Sequence, residues 1–305
     1  MTQPAPVVVI GDALIDEIRT EQSVVELVGG AALNVAVGVR RLGHPTILIA
    51  MVGDDEAGDH IRQYLRDHDV ILIDSPSERG TSRAVVQRDA DGEPTYTFND
   101  AAWNRSIRFG DAARAAIAQA PLVAVSCFPF DVAAEQAALA EVVGDTPLVI
   151  DPNPRAGMLH DRADFVAGFE QLAARATAVK IGADDAALLY DGDLEALGKK
   201  LRLQGARAVM MTAGADGAAV LTDAGRIQKP ISRLPGAVVD TVGAGDATLA
   251  ALAAGLVERH PETEDDWSAI VQRAMDVAAA TVRGEGGLLR TPEQLARSVA
   301  GENGS

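Results

Sequence analysis

Short runs of β-branched and other apolar residues alternate along the chain with longer stretches whose apolar positions recur every three or four residues. "VVVIG" is followed by "AALNVAVGVRRLG", "TILIAMVG", "AGDHIRQYLRDH" and "VILID", a β-α-β-α-β order that predicts parallel strands joined by crossover helices. Similar apolar runs return at "LVAVS", "PLVIDPN", "AVKIG" and "ARAVMMT", each apolar enough to be covered on both faces. The pattern predicts an α/β chain built on a mostly parallel, doubly wound sheet flanked by helices. Two segments break the rhythm. Residues 16–28 and 80–98 are extended and alternate in polarity, and the second carries a hairpin signal at Asp91-Gly92. They predict a small β-structure standing off the main sheet, as a lid, a dimer surface, or both.

Composition narrows the partners. With 44 acidic against 27 basic residues the net charge is −17, which disfavours nucleic acid and anionic membranes and favours a small-molecule partner. The N-terminal stretch lacks a basic region and is too short in apolar residues for a signal peptide or membrane span, so a cytoplasmic chain is expected. Cys127, the single cysteine, sits in "VAVSCFPF" and reads as a structural thiol. Five scattered histidines show no ligand spacing, and the P-loop, zincin and nucleophile-elbow motifs are absent.

In open parallel sheets ligands bind beyond the carboxyl ends of the strands. There the chain is polar: Asp12 and Asp16 follow the first strand, Asp151, Asn153 and Arg155 follow "LVI", and Thr212 and Gly214 follow "VMM". Two glycine turns open onto helices. "GGAALNVAVGVRRLG" (29–43) puts Asn34 in the first turns of its helix. "DTVGAGDAT" (240–248) precedes "LAALAAGLV", gathering free N–H groups and a helix dipole into a seat for an anion. Asp246 stands at that seat, either as a helix cap or as a group acting on the bound ligand.

"GDALID" and the two glycine motifs, in this order and about 200 residues apart, resemble the PfkB, or ribokinase-like, family of carbohydrate kinases. The resemblance spans nearly the whole chain. It implies one ribokinase-like α/β domain over 1–305, with 16–28 and 80–98 as β-lid segments. It further implies Asp246 as the base that deprotonates a sugar hydroxyl, with Gly243, Ala244 and Gly245 donating N–H groups to the transferring phosphate. Asp16 is implied as a sugar ligand, with Asp12, Gly30 and Asn34 around the same ligand. Thr212, Gly214 and Gly217 of "TAGADG", with Lys180, fall on the nucleotide side. ATP and Mg²⁺ are the implied cofactors, and Asp240 either braces its loop or helps hold a monovalent cation such as K⁺.

One stretch departs from the family pattern. Where the family carries N-x-x-E, a motif that organises Mg²⁺ and its waters, this chain has Gly182-Ala183-Asp184-Asp185, leaving Asp185 as the candidate metal-side carboxylate and a helix start at Asp184 as the competing reading. "GDALIDEI", "DGEPTYTFNDAAW" and "DPNPR" resemble stretches of bacterial fructokinases, which nominates Phe98, Asn99 and Trp103 to close over the sugar and Asn153 and Arg155 to line its rim. The expected activity is ATP-dependent phosphorylation of a sugar hydroxymethyl group, fructose-like. Ribokinase, 2-keto-3-deoxygluconate kinase and a non-catalytic sugar or nucleotide sensor are the alternatives, and a homodimer through the lid is an expected assembly.

Overall fold

The computed structural model describes residues 4–19, 23–88 and 94–302. The strands are β1 (Val7–Gly11), β2 (Leu14–Arg19), β3 (Val24–Gly29), β4 (Thr46–Gly53), β5 (Ile71–Ser77), β6 (Arg83–Arg88), β7 (Pro94–Phe98), β8 (Val123–Ser126), β9 (Leu148–Asp151), β10 (Ala178–Gly182), β11 (Val209–Thr212), β12 (Ala218–Thr222) and β13 (Gly225–Lys229). The described residues form a nine-stranded sheet in the order β13-β12-β11-β10-β9-β8-β1-β4-β5 and a four-stranded sheet in the order β3-β2-β6-β7. The strands from β11 across to β5 run parallel to one another; β12 and β13 add an antiparallel edge beside β11.

The continuous apolar runs make the central strands. All five residues of β1 and all eight of β4 are buried, as expected for strands covered by helices on both faces. Alternate residues serve opposite cores. Val7, Val9, Val149 and Ala178 face one cluster with the helices Ala31–Arg41, Ala244–Arg259 and Glu264–Thr281, while Val8, Ile10, Ile150 and Val179 face the other with Phe128, Phe130, Phe165 and Phe169.

Helix Ala244–Arg259 is buried continuously from Asp246 to Leu256. Its small residues let it lie close against helix Ala31–Arg41: a Cβ on Gly38 would come within 2.8 Å of the Ala250 Cβ. Close approach of these two helices brings their N-terminal turns together.

The two rhythm-breaking segments do join in one sheet, β2 pairing with β3 and with β6, and β6 with β7. That sheet begins at Leu14, two residues before the expected boundary. The expected turn at Asp91-Gly92 lies outside the described residues. The helix expected at Asp184 starts one residue earlier, at Ala183, with Gly182 as its N-cap. Among the described residues no helix is long and apolar enough to cross a membrane.

Candidate active site

Sequence neighbours part company at β1, which lies between β4 and β8. Strands β1, β4 and β5 extend to one side and β8 onward to the other, so the crevice beyond the carboxyl ends of β1 and β8 is the topological switch point where ligands of open α/β sheets bind. Asp12 and Asp16 reach it from β1 and β2. Asn153 and Arg155 reach it from the loop after β9, and Asn153 holds a left-handed backbone, φ 38°.

Asp12 is buried, and its Oδ1 accepts the Ala32 N–H at 2.9 Å while its carbonyl accepts from Leu33. It therefore closes the N-terminus of helix Ala31–Arg41, whose N-cap, Gly30, supplies no side chain. Gly30 has φ 113°, and a Cβ there would lie 2.8 Å from the Asp12 carbonyl oxygen, so only glycine fits this turn. Asp16 is half-buried beside Gly29. Burial, and then the neighbouring Asp12 charge, push the Asp16 carboxyl up to about 6 against the pull of Arg155.

The hydrogen bonds of Asp246 bear on the two roles left open for it. Gly243 is the N-cap of helix Ala244–Arg259, and the cap has no side-chain hydrogen bond. Asp246, buried in the first turn, instead accepts from Asn34 Nδ2 at 2.9 Å, with Asn153 Nδ2 3.5 Å from its other oxygen. Burial raises its pKa, opposed by the Asn34 hydrogen bond and the charges of Arg155 and Lys180. A carboxylate served by two amides and withheld from the cap is poised to take a proton from a third partner.

Lys180 points from β10 toward this same turn. Its Nζ donates to Asp151 Oδ2 at 2.8 Å and lies 3.2 Å from where a Gly245 Cβ would stand. Both partners are buried, Lys180 at 6% and Asp151 at 0% exposure. Burial opposes the ammonium's charge, but the carboxylates of Asp151, Asp185 and Asp246 outweigh it and hold the lysine protonated. Asp151 is raised by burial, with Lys180 pulling the other way.

The remaining candidates are placed less centrally. Asp185 is buried and its Oδ2 accepts the Gly182 N–H at 2.6 Å. Thr212 donates to the Ile181 carbonyl, and Gly214 and Gly217 form a left-handed turn after β11. Asp240 accepts N–H groups from Val242 and Gly286, which ties its loop to the 284–287 segment. Asn99 accepts from the N–H groups of Arg83 and Ala102 and donates to the Thr81 carbonyl, capping the short helix Asp100–Trp103. Phe98 packs on Ala31, Ala102, Cys127 and Met158, and Trp103 lies against His160 with ring centroids 4.3 Å apart and the rings tilted by 55°. Cys127 is buried and burial drives its thiol pKa upward, as suits a structural cysteine.

Two parts of the site were not singled out from the sequence. In the sequence Asp151 stands only as a residue at a strand end. Gly287 lies against both glycine motifs: a Cβ on it would be 2.6 Å from Asn34 Nδ2, and a Cβ on Gly243 would be 2.4 Å from its Cα. The run "GEGG" (284–287) was the available signal, since clustered glycines mark close backbone approach.

A family model described as pfkB family carbohydrate kinase matches residues 5–294. A fructokinase of Klebsiella pneumoniae is 31% identical over 258 residues, 81% of this chain and 83% of that protein. A fructokinase of Rhizobium leguminosarum bv. trifolii is 29% identical over 279 residues, 87% of this chain and 84% of that protein. Among solved structures, the aminoimidazole riboside kinase of Salmonella enterica, complexed with aminoimidazole riboside and an ATP analog, is similar at TM-score 0.77 and 25% identity. That similarity covers 96% of this chain and 99% of the other.

Proposed function

The chain belongs to the pfkB family of carbohydrate kinases, and from that premise we propose that it transfers the γ-phosphate of ATP to the hydroxymethyl group of fructose or a related ketose. The observation that carries this reading is Asp246, buried and uncapping, with its carboxylate turned to Asn34 and Asn153. Asp246 takes the proton of the attacking hydroxyl, and the N–H groups of Gly243, Ala244 and Gly245 face the phosphoryl group as charge builds on it. Asp16, with Asp12 and Arg155 beside it, orients the sugar hydroxyls. The fructokinase relatives support a ketose; the riboside kinase complex makes a furanoside the second acceptor to try. Release of ADP in a coupled assay across fructose, ribose, 2-keto-3-deoxygluconate and a riboside tests the assignment. Binding of ATP and sugar with no ADP released favours a sensor.

Among the described residues no cluster of three or more His, Cys, Asp or Glu would cage a metal, which suits Mg²⁺ held chiefly by the phosphates of its nucleotide. Such an ion neutralises phosphate charge. Asp185 is the residue to orient its waters. Its neighbour Gly182 has room: a Cβ there meets Asp185 Oδ2 and Thr212 Oγ1 at 3.4 Å, an ordinary contact. Gly182→Asn is therefore expected to fold and to lower the Mg²⁺ concentration giving half-maximal turnover; an unchanged Mg²⁺ titration removes this stretch from the metal site. Asp240 already accepts two backbone N–H bonds, which supports the bracing role over a K⁺ ligand.

The sugar-binding role of Asp16 has a pH signature. A raised carboxyl pKa means that ionising Asp16 in the fold costs stability as pH rises from its ordinary range toward 6. Sugar that needs the ionised acceptor binds fully above that value, and its affinity falls as pH drops through about 6. Asp16→Ala is expected to weaken sugar binding by roughly 1–3 kcal/mol and to flatten this pH limb, with ATP affinity unchanged. Calorimetric titration of sugar and of an ATP analogue on both sides of pH 6 checks it; loss of nucleotide affinity instead would move Asp16 out of the sugar subsite.

We treat residues 1–305 as one domain, with the β2, β3, β6, β7 sheet as a lid beside the sugar. Val25 and Leu27 are exposed on one face of its edge strand β3, and this apolar pair is the face for a second copy of the chain. Light scattering of the wild type against a Val25→Lys, Leu27→Lys variant tests it; equal masses for the two would remove the dimer from the proposal.

A further inference from the structure

Lys180 and Asp151 occupy positions where the fold elsewhere uses aliphatic residues. Two residues before them on the same strands, Ala178 and Val149 belong to the core cluster that includes Ala247 and Leu249 of helix Ala244–Arg259. Side chains two apart share a face of a sheet, so the ion pair is inserted between the sheet and the first turn of that helix. Such a pair is an expensive choice, because a buried ion pair is often no more stabilising than apolar residues of the same volume. One oxygen of Asp151 makes the cost larger: Oδ1 is buried and has no hydrogen-bond partner among the described residues.

The location of the ammonium is also unfavourable by itself. A cation at a helix N-terminus opposes the helix dipole, yet Lys180 Nζ lies 3.2 Å from the Cβ position of Gly245, the second helical residue. What compensates it is a set of carboxylates: Asp151 in direct contact, with the charges of Asp185 and Asp246 also acting on it. On the other side of the same turn, Asn34, Asn153, Arg155 and Asp12 face Asp246.

Building on the kinase reading above, we propose that Asp151 and Lys180 are positioning residues for phosphoryl transfer, forming a built-in counter-charge beneath the glycine turn. Asp151 fixes the ammonium under Gly245. From there its positive charge lies beneath both the Asp246 carboxylate and the anion seat, favouring the arrangement in which a carboxylate base and a phosphoryl group stand side by side. The lysine exchanges no proton; it offsets negative charge that the reaction concentrates at this turn.

The test separates charge from packing. Lys180→Met keeps the length of the side chain and removes its charge. Turnover is expected to fall about 10²-fold, with sugar affinity by calorimetry unchanged. If Lys180→Met is too unstable to purify because Asp151 is left unpaired, the double variant Lys180→Met, Asp151→Leu restores an apolar pair, and it is expected to fold and remain as slow. Lys180→Ala opens space for a small cation, so ethylammonium should raise its turnover to a plateau while the bulkier tetramethylammonium at equal ionic strength should not. Turnover near wild type in Lys180→Met or in the double variant, or no response of Lys180→Ala to ethylammonium, overturns the proposal. A wild-type protein that releases no ADP with any sugar overturns the kinase reading and this one together, whereas an active wild type with an equally active Lys180→Met overturns only this one.

Discussion

Asp246→Asn is expected to yield a folded protein that binds ATP and sugar with near wild-type affinity and turns over about 10² to 10⁴ times more slowly. Folding is retained because the carboxylate does not cap its helix. An asparagine at 246 can still accept from Asn34 with its amide oxygen, while its NH₂ takes the place of the oxygen facing Asn153, whose amide can turn to offer its oxygen, and removing a buried negative charge close to Asp12 relieves repulsion. Catalysis is lost because an amide cannot accept the hydroxyl proton. Calorimetry and a coupled assay on one preparation check both halves. Turnover within a few-fold of wild type would remove Asp246 from the base role, and a large drop in melting temperature would show that its contacts serve folding instead.

Gly243→Ala should be the next most damaging substitution. The residue holds φ 78°, a left-handed conformation that costs a non-glycine residue roughly 1–2 kcal/mol. Its new Cβ would also stand 2.4 Å from Gly287 Cα and 2.6 Å from the Gly287 carbonyl oxygen. Backbone on both sides leaves no flexible side chain to give way, so the turn must move by about 1 Å, and a displacement of that size typically costs about 10² in rate. The loss should appear in turnover with sugar affinity largely kept, since Asp16 is on a different element. A Gly243→Ala protein as active as wild type would show that the turn does not hold the phosphoryl group.

The central strands were legible because continuous apolar runs admit few other readings. The antiparallel edge was missed for the opposite reason: "GRIQK" in β13 is half polar and half exposed, as an edge strand is. At the site, the glycine turns were legible as an anion seat from their residues, and the roles of their aspartates only through the family resemblance. What Asp246 does with its oxygens was not, because Asn34 is 212 positions away. Asn99 shows the reverse. The resemblance to fructokinase stretches nominates it for a sugar contact, whereas in the fold its amide caps the helix that starts at Asp100. The Asp151–Lys180 pair was hidden because adjacency of β9 and β10 is a property of the sheet order, and neither residue alone announces a partner.

The distance in sequence between Asn34 and Asp246 also bears on how the enzyme comes to life. Strand β1 cannot acquire both of its neighbours until β4 and then β8 have been made, and the carboxylate arrives only with the helix that starts at Ala244. Contacts of such long range form slowly and late, because the loop they close is large. A chain emerging from synthesis therefore holds the proposed sugar-side residues Asp12 and Asp16 before it holds Asp246, the proposed base. Refolding followed by sugar binding and by ADP release should give two curves, with catalysis trailing, and partly folded chains would bind sugar without phosphorylating it.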